Sequence, residues 1–329
     1  MKNVLLIGAG TMGRTHAEAY SAMKDVSLAG IVDSDAAAAG KAAERFGTRS
    51  FGSYEEAMME LDTVDVVDIC LPTYLHREYV LKAADDGKHI ICEKPLAGSL
   101  KDAREMIDYC KDKKIRLFVG HVVRFFPEYV QARQVMEQKG LGDIAMVRAS
   151  RTSGFPRAWQ NWYADTSKSG GLLLDLSIHD FDYLRWCFGE VERVFAKAYV
   201  PESSEGGGYA LTTLTFRSGV IAHVEGSWSH QKFTTSFEIA GTDGIIDFNS
   251  ASDNPILSFR KAPDQPQEGA AVPESPLLKT PYYRELAHFL SCMETGEEPI
   301  VTAEDAYQAL AISLAAIESS RSGTPVAIA

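Results

Sequence analysis

The sequence predicts an α/β protein in two parts: an N-terminal doubly wound parallel sheet and a C-terminal α+β domain with an open, mostly antiparallel sheet. Through residue 120, continuous apolar runs alternate with helical patterns, which is typical of a parallel sheet covered on both faces. After Gly120, closely spaced runs alternate in polarity with a period of two, which is typical of antiparallel strands. A chain of 329 residues can bury two cores. We expect one domain over residues 1–120 and another over 121–329, and we leave open whether the closing helices pack back on the first domain.

In the N-terminal half, short apolar runs predict the strands and amphipathic stretches predict the helices. Strands are predicted at 4–7, 27–32, 48–51, 64–70, 88–92 and 116–119, and helices at 14–20, 36–46, 54–61, 75–86 and 100–113. Ligands of such sheets bind beyond the carboxyl ends of the strands. Candidate site residues therefore include Gly8, Asp33, 71–73 and 93–95, which follow predicted strands.

In the C-terminal half, a helix opened by Pro127 precedes a series of strands joined by hairpin signals at 217–219 and 241–244. Strands are predicted at 144–151, 191–200, 210–216, 220–229, 233–240 and 245–248, and helices at 127–139, 172–188, 282–294 and 303–320. Two polar stretches rich in Pro, Gly and Glu, 201–208 and 261–281, are predicted to be loops.

The most specific local signal is a glycine pattern between the first strand and the first helix. It consists of Gly8, Gly10 and Gly13 in the order G-x-G-x-x-G, with Thr11 and Met12 inside it. The first glycine permits a sharp turn, the second lets a pyrophosphate approach the backbone, and the third lets helix and strand pack closely. The helix N-terminus adds free N–H groups and a positive dipole. The pattern predicts dinucleotide binding, with a glycine-rich turn that binds nothing as the alternative.

A carboxylate at the end of the second strand completes the dinucleotide pattern. Asp33 stands twenty residues after Gly13, where an acidic side chain accepts hydrogen bonds from an adenosine ribose diol. The same charge repels a 2′-phosphate, and Ser34 and Asp35 follow without a nearby Arg to receive one. The sequence therefore favours NAD over NADP.

A second chemical signal lies in the middle of the chain, after Gly170 and Gly171. The apolar run 172–188 is predicted to be one buried helix, so that Asp175 and His179 share a face one turn apart. A carboxylate beside an imidazole orients the ring and suits moving a proton on or off a substrate hydroxyl. The alternative is a structural ion pair on a helix face. Asp175, His179 and Asp182 could also ligate a divalent ion, but no His or Cys cluster with ligand spacing supports this, and we expect no metal.

Composition excludes several classes of function. The net charge of −12 argues against nucleic acid as a partner, and no apolar run approaches the ~20 residues that span a bilayer. The early apolar stretch is broken by glycines and by Arg14, so a first strand explains it better than a signal peptide does, and we expect a cytoplasmic protein. The five scattered cysteines form no C-x-x-C and favour neither disulfides nor a zinc site.

Several further residues are weaker candidates. Thr73 and His76 follow the fourth strand and are predicted to contact ribose or nicotinamide, with a surface position at a helix start as the alternative for His76. Arg124 is predicted to meet cofactor or substrate, or to pair with an interdomain carboxylate. The stretch around Trp159, Asn161 and Trp162 mixes aromatic and polar groups, which suits a sugar, or else a packed loop or an oligomer contact.

Four motifs together carry a resemblance to a known family. They are 8–13, Leu71-Pro-Thr-Tyr-Leu-His76, Glu93-Lys-Pro95 and the run from Gly170 to His179. In their order and spacing the chain resembles the Gfo/Idh/MocA oxidoreductase family over its whole length. The resemblance implies a Rossmann domain, and a C-terminal domain whose open sheet serves as an oligomer interface in a homodimer or homotetramer. It implies oxidation or reduction of a hydroxyl-bearing carbon of sugars, inositols or related polyols with NAD(H) or NADP(H).

The resemblance also implies site residues. It places Lys94, Asp175 and His179 in the catalytic site and, through a Tyr-x-x-Glu pattern, Tyr282 near the substrate. One departure is Ser177, where many members have Gly. We expect His179 to act as base, Asp175 to orient it and Lys94 to stabilise the alkoxide. The predicted cofactor contacts are Gly8, Gly10, Thr11, Met12, Gly13, Asp33, Ser34, Leu71, Pro72, Thr73, His76, Glu93 and Lys94, and the predicted substrate contacts are Arg124, Trp159, Asn161, Trp162 and Tyr282. A dinucleotide-binding sensor without turnover, or an enzyme with a tightly held cofactor, remain the alternatives.

Overall fold

The computed structural model describes residues 1–201, 207–252 and 279–328, and within these residues the chain forms two units. The first unit is built from 1–125 and 279–307, and the second from the described residues of 126–252 and 308–328. The loop predictions for 201–208 and 261–281 fall largely on residues outside the described ones.

The first unit contains a parallel sheet of six strands. They are β1 (Lys2–Ile7), β2 (Val26–Val32), β3 (Arg49–Phe51), β4 (Val66–Ile69), β5 (His89–Glu93) and β6 (Leu117–Gly120). The strand order is β3-β2-β1-β4-β5-β6, and every neighbouring pair is parallel. The order reverses between β1 and β4, which is where doubly wound sheets bind their ligands. The predicted parallel sheet is confirmed.

Five helices connect these strands. They are α1 (Thr11–Ser21), α2 (Ala36–Phe46), α3 (Tyr54–Glu60), α4 (His76–Asp85) and α5 (Leu100–Asp112). Side-chain caps begin three of them: Asp35 accepts from two N–H groups of α2, and Ser53 and Ser99 each accept one from α3 and α5. These caps explain why the predicted starts of α2, α3 and α5 agree with the structure.

The second unit contains a mixed sheet of seven strands in the described part of the chain. They are β7 (Ile144–Gly154), β8 (Val191–Tyr199), β9 (Tyr209–Phe216), β10 (Ile221–Ser227), β11 (Ser229–Gly241), β12 (Ile245–Asn249) and β13 (Val326–Ala327). The order is β12-β11-β7-β10-β9-β8-β13, and only the pair β7 and β10 is parallel. The predicted, mostly antiparallel sheet is confirmed, with β13 as an addition too short to leave a periodic signal.

The remaining helices divide between the units. They are α6 (Pro127–Glu137), α7 (Thr166–Ser169), α8 (Gly171–Asp175), α9 (Ile178–Phe188), α10 (Pro281–Thr295) and α11 (Ala303–Ser322). In the first unit, α10 buries Leu286 and Phe289 in the same core as Val4 and Phe118. The rings of Phe118 and Phe289 lie 5.1 Å apart, so α10 packs on the sheet of its own unit.

The predicted single helix over 172–188 is wrong. It is two helices, because α8 ends at Asp175 and α9 begins at Ile178. The Ser177 N–H donates to the Leu172 carbonyl at 3.1 Å, which is a wide five-residue turn, while the Ser177 carbonyl accepts from Asp180 and Phe181 and so starts the next helix. Asp175 and His179 therefore do not share one helix, whereas His179 and Asp182 both lie in α9.

Candidate functional site

The glycine turn after β1 is built so that two of its three glycines cannot be replaced. Gly8 has a φ of +104°, and a Cβ there would lie 2.4 Å from the Cys70 carbonyl oxygen. A Cβ on Gly13 would lie 1.8 Å from the carbonyl oxygen of Gly8. Nothing lies within 4 Å of a Cβ placed on Gly10. The turn is tightly packed at Gly8 and Gly13 and open at Gly10, so a pyrophosphate can approach the main chain at Gly10.

The start of α1 offers the charge that matches this opening. Gly10 is the N-cap of α1 and has no side chain with which to cap it. The eleven residues of α1 direct the positive end of the helix dipole towards the glycine turn. Thr11 and Met12 belong to this first turn and are half-buried. The residues present fit a phosphate group of a dinucleotide.

Asp33 is fixed beside the glycine turn. Its Oδ2 accepts a hydrogen bond from the Ala9 N–H at 2.7 Å, and its Oδ1 accepts one from the Asp35 N–H at 2.9 Å. Each carboxylate oxygen keeps a further lone pair for a ligand hydroxyl. Ser34 is exposed, and Asp35 caps α2. The half-buried carboxylate of Asp33 is therefore fixed in a position where it can accept hydrogen bonds from a ribose diol.

The turn after β4 is supported from below by His76. Leu71 and Pro72 are half-buried, and Thr73 is buried at the start of a short 3-10 helix. The His76 ring is fully buried, with Nδ1 2.8 Å from the Pro95 carbonyl oxygen and Nε2 2.8 Å from that of Leu71. Burial lowers the pKa of His76, although the two carbonyls oppose the shift. The surface alternative for His76 is wrong, and its ring joins two loops.

Glu93, the last residue of β5, is turned inwards. Its Oε1 lies 3.1 Å from Nε2 of His16, and its Oε2 accepts the Lys94 N–H at 3.0 Å. Burial acts to raise the pKa of Glu93, but the hydrogen bond and charge of His16, with the charge of Lys94, lower it overall. Glu93 thus supports the chain at Lys94, while the Lys94 side chain is partly exposed.

A buried polar chain beneath these loops escaped the sequence analysis. His16 of α1 lies between Asp68 and Glu93, with its Nδ1 2.8 Å from Asp68 Oδ2, and the Tyr20 hydroxyl donates to the same oxygen at 2.7 Å. The available signal was Asp68 itself, a charged residue inside an apolar strand. With Cys70, His16 and Asp68 group as metal ligands do. Because both His16 nitrogens face carboxylates, the set suits a protonated imidazole, whereas a metal needs a bare nitrogen lone pair.

Two other predicted residues of the first unit are also buried. The Arg124 guanidinium donates to the Ile300 carbonyl at 2.7 Å and lies 3.2 Å from the Asp305 carboxylate. Arg124 thus pairs with a carboxylate of its own unit, whereas the sequence predicted an interdomain carboxylate as the alternative partner. Tyr282 lies in the first turn of α10, with its ring centroid 6.2 Å from that of His16.

In the second unit, the two acid–base candidates flank the break between α8 and α9. Asp175 is buried as the last residue of α8, and His179 is half-buried as the second residue of α9. The carboxylate of the next residue, Asp180, accepts hydrogen bonds from Nε and Nη2 of the buried Arg151, each at 2.8 Å. This ion pair ties the first turn of α9 to β7 in the sheet.

The aromatic loop before α7 presents some of its predicted residues and buries others. Trp159 and Asn161 are exposed, and Asn161 and Gln160 have φ values of +48° and +51°. Trp162 is buried and stacks on Tyr163 at 4.0 Å. Two consecutive left-handed residues that are not glycine cost about 1–3 kcal/mol each, and such strain often marks functional loops.

Comparison with known proteins places this arrangement in a family. The chain matches the model of the oxidoreductase family with an NAD-binding Rossmann fold over residues 2–121, and that of the family's C-terminal alpha/beta domain over residues 133–328. The chain belongs to the Gfo/Idh/MocA oxidoreductase family. The resemblance inferred from the four motifs is confirmed, and the first unit is an NAD-binding Rossmann domain.

Characterised members are similar along nearly the whole chain. A myo-inositol 2-dehydrogenase of Thermotoga maritima is 29% identical, over 95% of this chain and 95% of its own length. An NADP⁺-dependent D-xylose 1-dehydrogenase of Haloferax volcanii is 29% identical, over 91% of each chain. A levoglucosan dehydrogenase, solved with NADH and levoglucosan, has a TM-score of 0.84 and 27% identity, over 100% of this chain and 99% of its own. In the part of the chain that the structure describes, no helix is long and apolar enough to cross a membrane.

Proposed function

We propose that this Gfo/Idh/MocA protein is an NAD(H)-dependent dehydrogenase acting on a secondary alcohol carbon of a sugar, inositol or related polyol. The observation that carries the proposal lies within the first unit. Gly8, Asp33 and Lys94 follow β1, β2 and β5 of one parallel sheet and so stand at the same edge. This edge combines a dinucleotide cradle with the half-buried residue Lys94, and the relatives described above act on sugars and inositol.

NAD is proposed as the cofactor because of Asp33. Relatives with both cofactors occur in the family, so membership alone does not decide between them. The carboxylate of Asp33 is held in place by Ala9 and Asp35, it would repel a 2′-phosphate, and neither Ser34 nor Asp35, which follow it, is a cation. The choice therefore rests on this one fixed charge.

The proposed chemistry assigns one role to each of three residues. When bound, NAD(H) supplies the hydride acceptor or donor. His179 removes the proton from the substrate hydroxyl, and Asp175 orients its ring. Lys94 donates to the oxygen as negative charge develops there. Reduction of a ketone follows the same proton movements in reverse.

We propose Trp159 and Asn161 as the substrate contacts of the aromatic loop. Both are exposed on the strained turn, where an aromatic face can stack on a sugar ring and an amide can bind its hydroxyls. Trp162 packs inside the loop, and Arg124 and Tyr282 lie buried in their own unit, so none of these three presents an exposed side chain.

A second copy of this chain is the proposed occupant of the open face of the seven-stranded sheet. Phe195, Leu211, Ile221 and Ile245 are exposed on β8, β9, β10 and β12. Leu211 is paired in register with Lys197 on one side and Glu225 on the other, so opposite charges lie beside the apolar residues. A two-fold contact can match such a face to itself. We expect a homodimer or homotetramer whose mass falls to that of a monomer in Leu211→Lys, and a monomeric wild type would refute this. A cytoplasmic location stays a prediction of the sequence.

The test of the proposed function is NADH formation with a panel of inositols, aldoses and polyols, with NADP⁺ in parallel. Turnover of one substrate class with NAD⁺ supports the proposal. Tight NADH binding without turnover of any panel member contradicts it and favours a dinucleotide sensor. Nucleotide that stays with the protein through gel filtration indicates a tightly held cofactor.

A further inference from the structure

A fully buried histidine joins the cofactor helix to the loop that carries Lys94. His16 lies in the second turn of α1, between the carboxylates of Asp68 on β4 and Glu93 on β5. A neutral imidazole has one proton and donates to only one of two acceptors. Burial acts to lower the pKa of His16, but the charge and hydrogen bond of Asp68 raise it well above its usual value. With a carboxylate facing each ring nitrogen, the arrangement suits a protonated imidazole.

Attaching a helix to a sheet through buried charges has a high cost in desolvation free energy. Buried charges lose their hydration, and apolar residues of similar volume often stabilise a core as well or better. The chain also buries the Tyr20 hydroxyl against Asp68, and burial together with Asp68 raises the pKa of Tyr20. Because packing alone does not require these charged groups, their position relative to Lys94 points to a role beyond packing.

The two oxygens of Glu93 connect His16 to the main chain of Lys94. Oε1 faces His16 Nε2, and Oε2 accepts the Lys94 N–H. On the side of β6, a Cβ on Gly120 would lie 3.1 Å from Oε1, so a side chain at this position would crowd the Glu93 carboxylate. The carbonyl of Pro95 is in turn 2.8 Å from His76 Nδ1. Lys94 is thus held on both sides by buried histidines.

We propose that His16 is a positioning residue for Lys94: its charged ring fixes the Glu93 carboxylate, and that carboxylate fixes the main chain from which the Lys94 amine extends. The inference rests on the proposed function, in which Lys94 meets the reacting oxygen. It adds that α1, whose N-terminus faces the phosphate site, also sets the place of the catalytic amine. Misplacement of a reacting group by about 1 Å reduces turnover far more than it reduces binding.

The chain offers a matched control in Tyr20. Tyr20 lies one turn after His16 on α1, is equally buried and donates to the same Asp68 oxygen. No hydrogen bond of its hydroxyl to Glu93 is present among the described contacts of Tyr20. Tyr20→Phe therefore loosens α1 on the sheet without releasing Glu93. A purely structural role predicts similar effects for His16→Gln and Tyr20→Phe.

The experiment compares His16→Gln, Tyr20→Phe and Lys94→Ala with the wild type. For each, kcat, KM and the Kd of NADH are measured, together with the acetylation rate of Lys94 by an activated ester, read by mass spectrometry. We expect His16→Gln to lower kcat about tenfold or more, with KM and the Kd of NADH within about twofold. We also expect its Lys94 acetylation rate to change by about threefold or more, while Tyr20→Phe leaves kcat and the labelling rate within about twofold.

The outcomes separate this inference from the proposed function. Unchanged kcat and unchanged Lys94 labelling in His16→Gln refute the positioning role, whether or not the variant is less stable. Normal turnover of Lys94→Ala refutes instead the role of Lys94 itself, and the labelling rate still reports on His16. If His16→Gln does not fold, Glu93→Asp keeps the charge but is too short to reach both His16 and the Lys94 N–H. The same fall in kcat is then expected, and a fully active Glu93→Asp overturns the inference.

Discussion

The carboxylate of Asp33 accepts a hydrogen bond from the main chain of Ala9 at 2.7 Å, which fastens the end of β2 to the glycine turn after β1. The same carboxylate supports the proposed choice of NAD over NADP. Asp33→Ala should therefore narrow the preference for NAD by about tenfold or more, because a repulsion of at least about 1.4 kcal/mol against the 2′-phosphate is removed. The measurement is kcat/KM with each cofactor.

Asp35→Ala is the control for that prediction. Asp35 caps α2 through Ala37 and Ala38 and does not bond to the glycine turn. The variant Asp35→Ala should have a free energy of unfolding about 1 kcal/mol lower than the wild type and should keep the cofactor preference. An unchanged preference in Asp33→Ala would show that another group selects the cofactor.

The buried pair of Arg151 and Asp180 should be critical for the stability of the second unit. Asp180→Asn leaves the Arg151 charge buried without its partner, which costs about 3–5 kcal/mol. Urea unfolding followed by circular dichroism measures this loss. Glu238→Gln, which removes the half-buried partner of the exposed Arg148 at 3.8 Å, should change the free energy of unfolding by less than about 1 kcal/mol. Similar losses in both variants would contradict the assignment of a buried pair.

The His16 chain should make stability depend on pH. The pKa of His16 is raised above 6.5 in the folded protein, so its stabilisation is full below 6.5 and is lost as the pH rises through the folded value. The pKa of Glu93 is lowered from 4.5, so its stabilisation is full above 4.5 and is lost as the pH falls through the lowered value. The free energy of unfolding of the wild type should exceed that of His16→Gln most between about pH 4.5 and 6.5. Thermal unfolding of both proteins from pH 4 to 9 tests this, and a constant difference would mean that His16 is not charged.

Ser177 should tolerate replacement by glycine. Its buried Oγ makes no hydrogen bond within the described residues, and a Cβ on Gly226 would lie 2.5 Å from that oxygen. Gly226→Ala should destabilise the wild type by about 1–3 kcal/mol through overpacking. In the background of Ser177→Gly the same change should cost about 1 kcal/mol less, as measured by a double-mutant cycle in urea. Additive effects would show that the two residues do not compete for this space.

How much of the fold the sequence could predict depended on how local each signal was. Val4–Ile7 is fully buried, so β1 is a continuous apolar run that can be recognised without knowledge of its neighbours. The break before α9 left no trace, because one wide turn at Ser177 does not interrupt an apolar run. β13 has two residues, too few for any period to show.

The parts of the site that lie within one sequence motif could be predicted. The parts that depend on contacts between distant helices and strands could not. The glycine turn and Asp33 follow from spacing along the chain. The partners of His16 lie 52 and 77 residues away, so no local pattern connects them. The partners of Arg124 and His76 could not be predicted for the same reason. Their residue types suggested ligand contacts, but in the structure they are buried against carbonyl and carboxylate groups.

The most direct test of the proposed chemistry is the turnover of Lys94→Ala with the best substrate of the panel, measured together with its Kd for NADH. We expect kcat to fall about a hundredfold or more, because a donor to the developing alkoxide is removed, while the Kd for NADH stays within about twofold. Near-normal kcat would contradict the proposed role of Lys94, because the amine at the carboxyl end of β5 would then take no part in the reaction.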